Sequence, residues 1–184
     1  MQSQLKIRRI ALNAVLIAVY VVLSGLTIQI SGLKITFEHF PVVLCAVIFG
    51  PFDAMIVGGV GEFFNQMTTF GFTPTTLLWV LPIVFRGASI GFLTNMMSKQ
   101  ISIDVVIQKK VPIMFGLVCI VSGICSSLLN TVALYVDSKM LGYYSFALVF
   151  GALAMRMLLS VITSICIVLA IKPILRALRI SKLI

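Results

Sequence analysis

A helix needs about 20 apolar residues to cross the hydrocarbon of a bilayer, and this chain places one such run after another along almost its whole length. The first extends from about Ala11 to Ile30, the third from about Phe52 to Thr69 and the fourth from about Thr75 to Met97. The fifth covers about Pro112 to Val136, and the sixth about Ser145 to Ile171. The second, about Phe40 to Gly50, is too short to span upright. Either residues 35–39 extend it or it is a partial crossing. Ser31-Gly32-Leu33-Lys34, the breaker pair Gly50-Pro51 and Gly71-Phe72-Thr73-Pro74 separate the runs. Only Ser98 to Lys110 is polar over any length. Of the 184 residues 60% are hydrophobic and 10% charged, against about 25% charged in a soluble domain. A water-soluble fold is excluded. What remains is an all-α integral membrane protein, a bundle of six transmembrane helices forming a single domain over residues 1–184. Gly58, Gly59 and Gly61 let neighbours approach the third helix closely, and Pro82 removes a backbone hydrogen bond from the fourth and bends it.

The net charge of +9 would point to nucleic acid in a soluble protein. Its distribution gives it another meaning here, because Lys and Arg favour the cytoplasmic flanks of membrane helices. With the N-terminus inside, Lys6, Arg8, Arg9, Lys99, Lys109, Lys110, Lys172, Arg176, Arg179 and Lys182 all fall on the cytoplasmic side, and only Lys34 and Lys139 on the other. The asymmetry predicts cytoplasmic N- and C-termini, an even number of crossings and a location in the cell membrane, and it leaves no role for nucleic acid. The basic N-terminus lacks a convincing cleavage site, so the first run reads as a retained crossing. Cys45, Cys119, Cys125 and Cys166 lie in apolar runs without metal-ligand spacing, so neither a disulfide framework nor a metal or cofactor site is indicated.

Charges at membrane depth mark a site or a buried pair. Glu62 lies midway along the third run, Arg86 midway along the fourth and Arg156 in the upper or middle part of the sixth. Two readings stay open for Glu62 and Arg86: a structural ion pair, or an arginine with part of its fork free for a ligand carboxylate. Trp79 and Arg86, seven residues apart, share a helix face with Pro82 between them, although a lone Trp also suits the membrane interface. Glu62, Asn65, Gln66 and Thr69 recur at helical spacing, as do Ser126, Ser127, Asn130 and Thr131. Interhelical hydrogen bonds account for such residues singly. Their concentration toward the outer end, with Glu38, His39, Tyr143 and Tyr144, suggests an outward-facing pocket. In the first run Ala11, Ala14 and Ala18 form a small-residue strip that permits close helix contact.

These features together resemble the substrate-binding S components of energy-coupling factor (ECF) vitamin transporters, over essentially the whole chain. Two stretches carry the resemblance most specifically. The strip Ala11, Ala14, Ala18 looks like the family's AxxxA surface, and the segment from Ile35 to Glu62 is similar to the family's second-to-third helix region, with a Pro opening an apolar run, Gly-Pro turning it and a Gly-rich helix ending in an acid. The resemblance implies a subunit that captures a vitamin from outside and docks, through the alanine strip, on a transmembrane coupling subunit served by two cytoplasmic ATPases. It implies no enzyme activity in this chain, in keeping with the lack of a GxxxxGK[ST] phosphate loop. Transferred by position, the family's site falls on Glu38, His39, Asn65, Phe72, Trp79, Arg86, Asn130 and Tyr144. The stretches from Glu62 to Gln66 and from Gly71 to Arg86 are most similar to members associated with pantothenate or with folate and pyrimidine precursors. Pantothenate is preferred, since a buried arginine suits its carboxylate. Hydroxymethylpyrimidine would instead stack on Trp79 and use Glu38 or Glu62. A stand-alone secondary transporter, with Glu62 as proton-coupling carboxylate, is the alternative from another class.

Overall fold

The computed structural model describes residues 2–26, 28–30, 33–35, 37–97 and 113–180. The polar stretch 98–110, with Lys99, Lys109 and Lys110, lies outside them, as does Lys182. In order along the chain come α1 (Gln2–Gly25), the hairpin β1 (Ile28–Ile30) and β2 (Leu33–Ile35), α2 (His39–Phe49), α3 (Pro51–Phe70), α4 (Thr76–Met96), α5 (Ile113–Met140), α6 (Phe146–Phe150) and α7 (Leu153–Ile180). Among the described residues four segments are long and apolar enough to cross a membrane: Lys6–Gly25, Thr76–Met96, Ile113–Met140 and Phe146–Leu178. The chain is thus a multi-pass helical membrane protein. The helix α3 has the length to cross, 20 residues, but carries Asp53, Glu62, Asn65 and Gln66 among its buried positions.

Three expectations need correction. The first helix ends at Gly25 rather than near Ile30, and the β-branched residues after it pair as an antiparallel hairpin with Gln29 opposite Lys34. Hydropathy cannot separate a short apolar strand from the end of an apolar helix. The second helix gains only His39 at its start, with residues 37 and 38 outside it and Ile35 in β2, so α2 stays at 11 residues. The sixth run is broken at Gly151 and Ala152, where the backbone leaves α6 before α7 begins. The longer piece then continues through Pro173 to Ile180, carrying Lys172 and Arg176 as part of one helix.

The turns were easier to place. Gly50 adopts φ 90° between α2 and α3, a backbone conformation that suits glycine, and Pro51 opens the next helix where its missing N–H costs nothing. The helix α3 lies against α4, α1 and α2, α5 bridges α4 and α7, and α7 also touches α2 and β2. Apolar residues of the short α2, including Val42, Val43 and Cys45, are fully buried at the centre of the core with Val57, Ile90, Phe115 and Ile171. As expected of its glycines, α3 seats Ile83 and Val84 of α4 beside Gly58 and Gly59.

At the basic end of the bundle, Arg9 of α1 bonds Asp53 of α3, with its Nε 2.9 Å from the carboxylate, and lies over the Phe49 ring. Asn13 donates to the other oxygen of Asp53 at 2.6 Å. At the opposite end Asp137 of α5 accepts from Thr75, just before α4, and from Tyr143 in the following turn. Desolvation and the Asp137 bond push the Tyr143 phenol up to about 12, so it stays protonated and donating. Each polar cluster ties together segments distant in sequence, one at either end of the helices.

Candidate functional site

Between these ends, in the half of the bundle away from the basic end, the helices part around a cavity of about 530 Å³. That lies within the ~300–1,000 Å³ of small-molecule sites. Tyr20 of α1, Glu38 and His39 at the start of α2, the second half of α3, the first half of α4 and facing stretches of α5 and α7 form its wall. Of the residues singled out from sequence, Glu38, His39, Asn65, Trp79, Arg86 and Asn130 all line it. Phe72 and Tyr144 do not. Phe72 is 73% exposed in the turn after α3, and Tyr144 packs edge-on against Tyr135 beneath the Lys139 ammonium. Both lie on turns, where sequence position fixes no direction.

The spacing of α4 explains one wall. Trp79, Pro82, Ile83 and Arg86 fall on one helical stripe and all face the cavity. Arg86 is only 1% exposed. One Nη2 donates to Ser164 of α7 at 2.9 Å, and Ser164 passes its own proton to the Ser160 carbonyl at 2.7 Å, which fixes it as the acceptor. The Arg86 Nε has no hydrogen-bond partner among the described residues, nor has Nδ1 of His39. A buried guanidinium edge without a partner is costly unless something else satisfies it.

Glu62 is satisfied differently. It accepts from Tyr20 at 2.7 Å, from Asn65 at 3.0 Å and from Gln66 at 2.6 Å. Asn65 and Gln66 sit three and four residues on, where one helix face brings them together. No ion pair joins Glu62 to Arg86 among the described residues. Of the two readings left open, the ion pair is absent, with neutral donors around the acid and a hydroxyl beside the base. Membrane depth alone does not specify which side chains face one another.

Arg156, half-buried, also reaches the cavity. Its Nη2 donates to the carbonyls of Leu148 and Val149, each at 3.0 Å, and its Nη1 lies 3.5 Å from Thr131. It holds the short α6 against α5 at the mouth. Ser126 of α5 contributes by donating to the Pro82 carbonyl of α4 at 2.9 Å. Sequence inspection overlooked Tyr20, Ser160 and Thr163 as wall residues. For Tyr20 a signal existed, since a phenol in an apolar helix must find a partner when buried.

The cavity wall therefore includes a buried arginine, an aromatic plate at Trp79, and a carboxylate with three of its roughly four acceptor positions filled. The family described as "ECF transporter, substrate-specific component" matches residues 8–178. No curated protein matches the chain. Because the family match runs through every described helix and nearly the entire sequence, the chain belongs to the substrate-specific components of ECF transporters.

Proposed function

We propose that this chain is the pantothenate-binding subunit of an ECF importer, and that the cavity between α1 and α7 is its vitamin site. The observation that carries the reading is Arg86, a buried arginine of the cavity wall whose Nε has no hydrogen-bond partner among the described residues. A carboxylate answers it with charge-assisted hydrogen bonds in the fork geometry of arginine. Glu62 has about one acceptor position left for a ligand hydroxyl or amide N–H. Pantothenate carries a carboxylate at one end and hydroxyls at the other, with an amide between. Glu38, His39, Asn65, Trp79 and Asn130 complete the site. Hydroxymethylpyrimidine is the second reading, favoured by the Trp79 face on the cavity wall, and weakened by the donors already gathered on Glu62.

In this reading the chain crosses the membrane six times, with the short α2 in the bundle interior and both termini in the cytoplasm. The basic end, with Arg8, Arg9, Lys172 and Arg176, then faces inward, and the cavity opens outward. Ala11, Ala14 and Ala18 are all exposed on α1, as a strip needs to be to meet the coupling subunit. Two ATPases on that subunit supply the energy.

The test is uptake of labelled pantothenate into cells that lack their own importer. Accumulation is expected only when this chain is expressed together with the coupling subunit and both ATPases. Comparable uptake by this chain alone would favour a proton-coupled secondary transporter.

A further inference from the structure

The helix α1 is fastened to α3 by two polar clasps. At the basic end Arg9 and Asn13 hold Asp53, and at the cavity end Tyr20 donates to Glu62 at 2.7 Å. Between the clasps Leu16 and Ile17 pack against the apolar core. The Tyr20 ring is wedged against Gly61, where a Cβ would come within 2.6 Å of it. The Tyr20 side chain is 1% exposed, and its hydroxyl is held by Glu62. The same ring forms part of the cavity wall. On the outside of this helix, starting two residues away, lie Ala18, Ala14 and Ala11.

We infer that Tyr20 is a positioning residue through which the filled cavity sets the stance of α1, and with it the affinity of the alanine strip for the coupling subunit. The inference rests on the roles given above to the cavity and the strip. Tyr20, Asn65 and Gln66 fill three of the roughly four acceptor positions of Glu62, and a ligand hydroxyl or amide N–H takes the remaining one. A ligand bound to Glu62 holds that carboxylate, and with it the Tyr20 hydroxyl, in one place. The outer half of α1 loses freedom, and a partner that docks on an already ordered helix has less ordering left to impose. The Asp53 clasp keeps the other end of α1 in place, so the change is concentrated beside Ala18.

The experiment compares the full-length wild type with Tyr20→Phe in nanodiscs. Phenylalanine keeps the packing against Gly61 and removes only the donor. Two quantities are measured: the dissociation constant for pantothenate, and that for the purified coupling subunit with its ATPases, each with and without pantothenate present. The wild type is expected to associate more tightly when loaded. Tyr20→Phe is expected to associate about three- to tenfold more weakly than wild type, as loss of one hydrogen bond implies. Its association should be the same with and without the vitamin. Association equal to wild type in the ligand-free arm would overturn the inference whatever the ligand is. So would tightening by pantothenate in Tyr20→Phe, or a wild type that binds pantothenate yet associates no better for it. A loss of pantothenate affinity of about tenfold or more would make Tyr20 a ligand contact, and would equally overturn it. A wild type that binds no pantothenate contradicts the ligand assignment, while the ligand-free arm still decides the inference.

Discussion

Replacing Arg86 by alanine is expected to weaken pantothenate binding by about two to three orders of magnitude, the usual cost of truncating a buried hydrogen-bonded charge facing its partner. The protein should still fold. Arg86 is not half of an ion pair with Glu62, which keeps Tyr20, Asn65 and Gln66 as donors in the variant. Removing the arginine leaves Glu62 its own donors but takes an electrostatic partner from the nearby Glu38, so some destabilisation is expected beside the loss of binding. What the structure also loses is the bond to Ser164, on the order of 1 kcal/mol, and some packing. Arg86→Lys keeps the charge but not the fork, and is expected to bind about tenfold more weakly than wild type. Titration calorimetry, with thermal unfolding of the same samples, separates the two effects. Normal binding by Arg86→Ala would assign the residue to the bundle's structure alone.

The second large effect lies on the opposite face of the molecule. Ala14→Leu or Ala18→Leu is expected to lower vitamin uptake by about tenfold or more, since close helix contact depends on small side chains. Pantothenate affinity of the isolated chain should stay within about twofold, within the range of substitutions away from buried features. Both alanines are exposed, so the added carbons meet nothing inside the bundle. Val132→Leu, at a 56% exposed position of α5, serves as the control and should transport normally. Uptake by cells and ligand titration of purified protein give the two readouts. Full transport by the α1 variants would remove the docking role from the strip.

The two effects separate because α1 carries the strip outside while the cavity lies inside, and sequence made those two features legible to different degrees. Helix boundaries were readable where turn chemistry is strong: α3 and α4 start and end within about two residues of their expected limits, at Gly50-Pro51 and Gly71-to-Pro74. They were not readable where apolar strand and apolar helix look alike, as after Gly25, or where one glycine interrupts a long run, as at Gly151. The stripe Trp79, Pro82, Arg86 was visible because local helical geometry settles which residues share a face. The same holds for Glu62 with Asn65 and Gln66. Tyr20 and Ser164 depend on which helices are neighbours, and that follows from core packing around α2 rather than from any local pattern. Depth in the membrane suggested a Glu62–Arg86 pair for the same reason it could not decide it: depth constrains one coordinate and contact requires three.

The claim that most needs a direct test is that the ligand's carboxylate meets Arg86. Purified wild-type protein should be titrated with pantothenate, with pantothenol, in which an alcohol replaces the carboxylate, and with hydroxymethylpyrimidine. Saturable pantothenate binding is expected, with pantothenol and hydroxymethylpyrimidine about a hundredfold or more weaker because the buried guanidinium is then left unanswered. Equal affinity for pantothenate and pantothenol, or binding of hydroxymethylpyrimidine in preference to both, would contradict it.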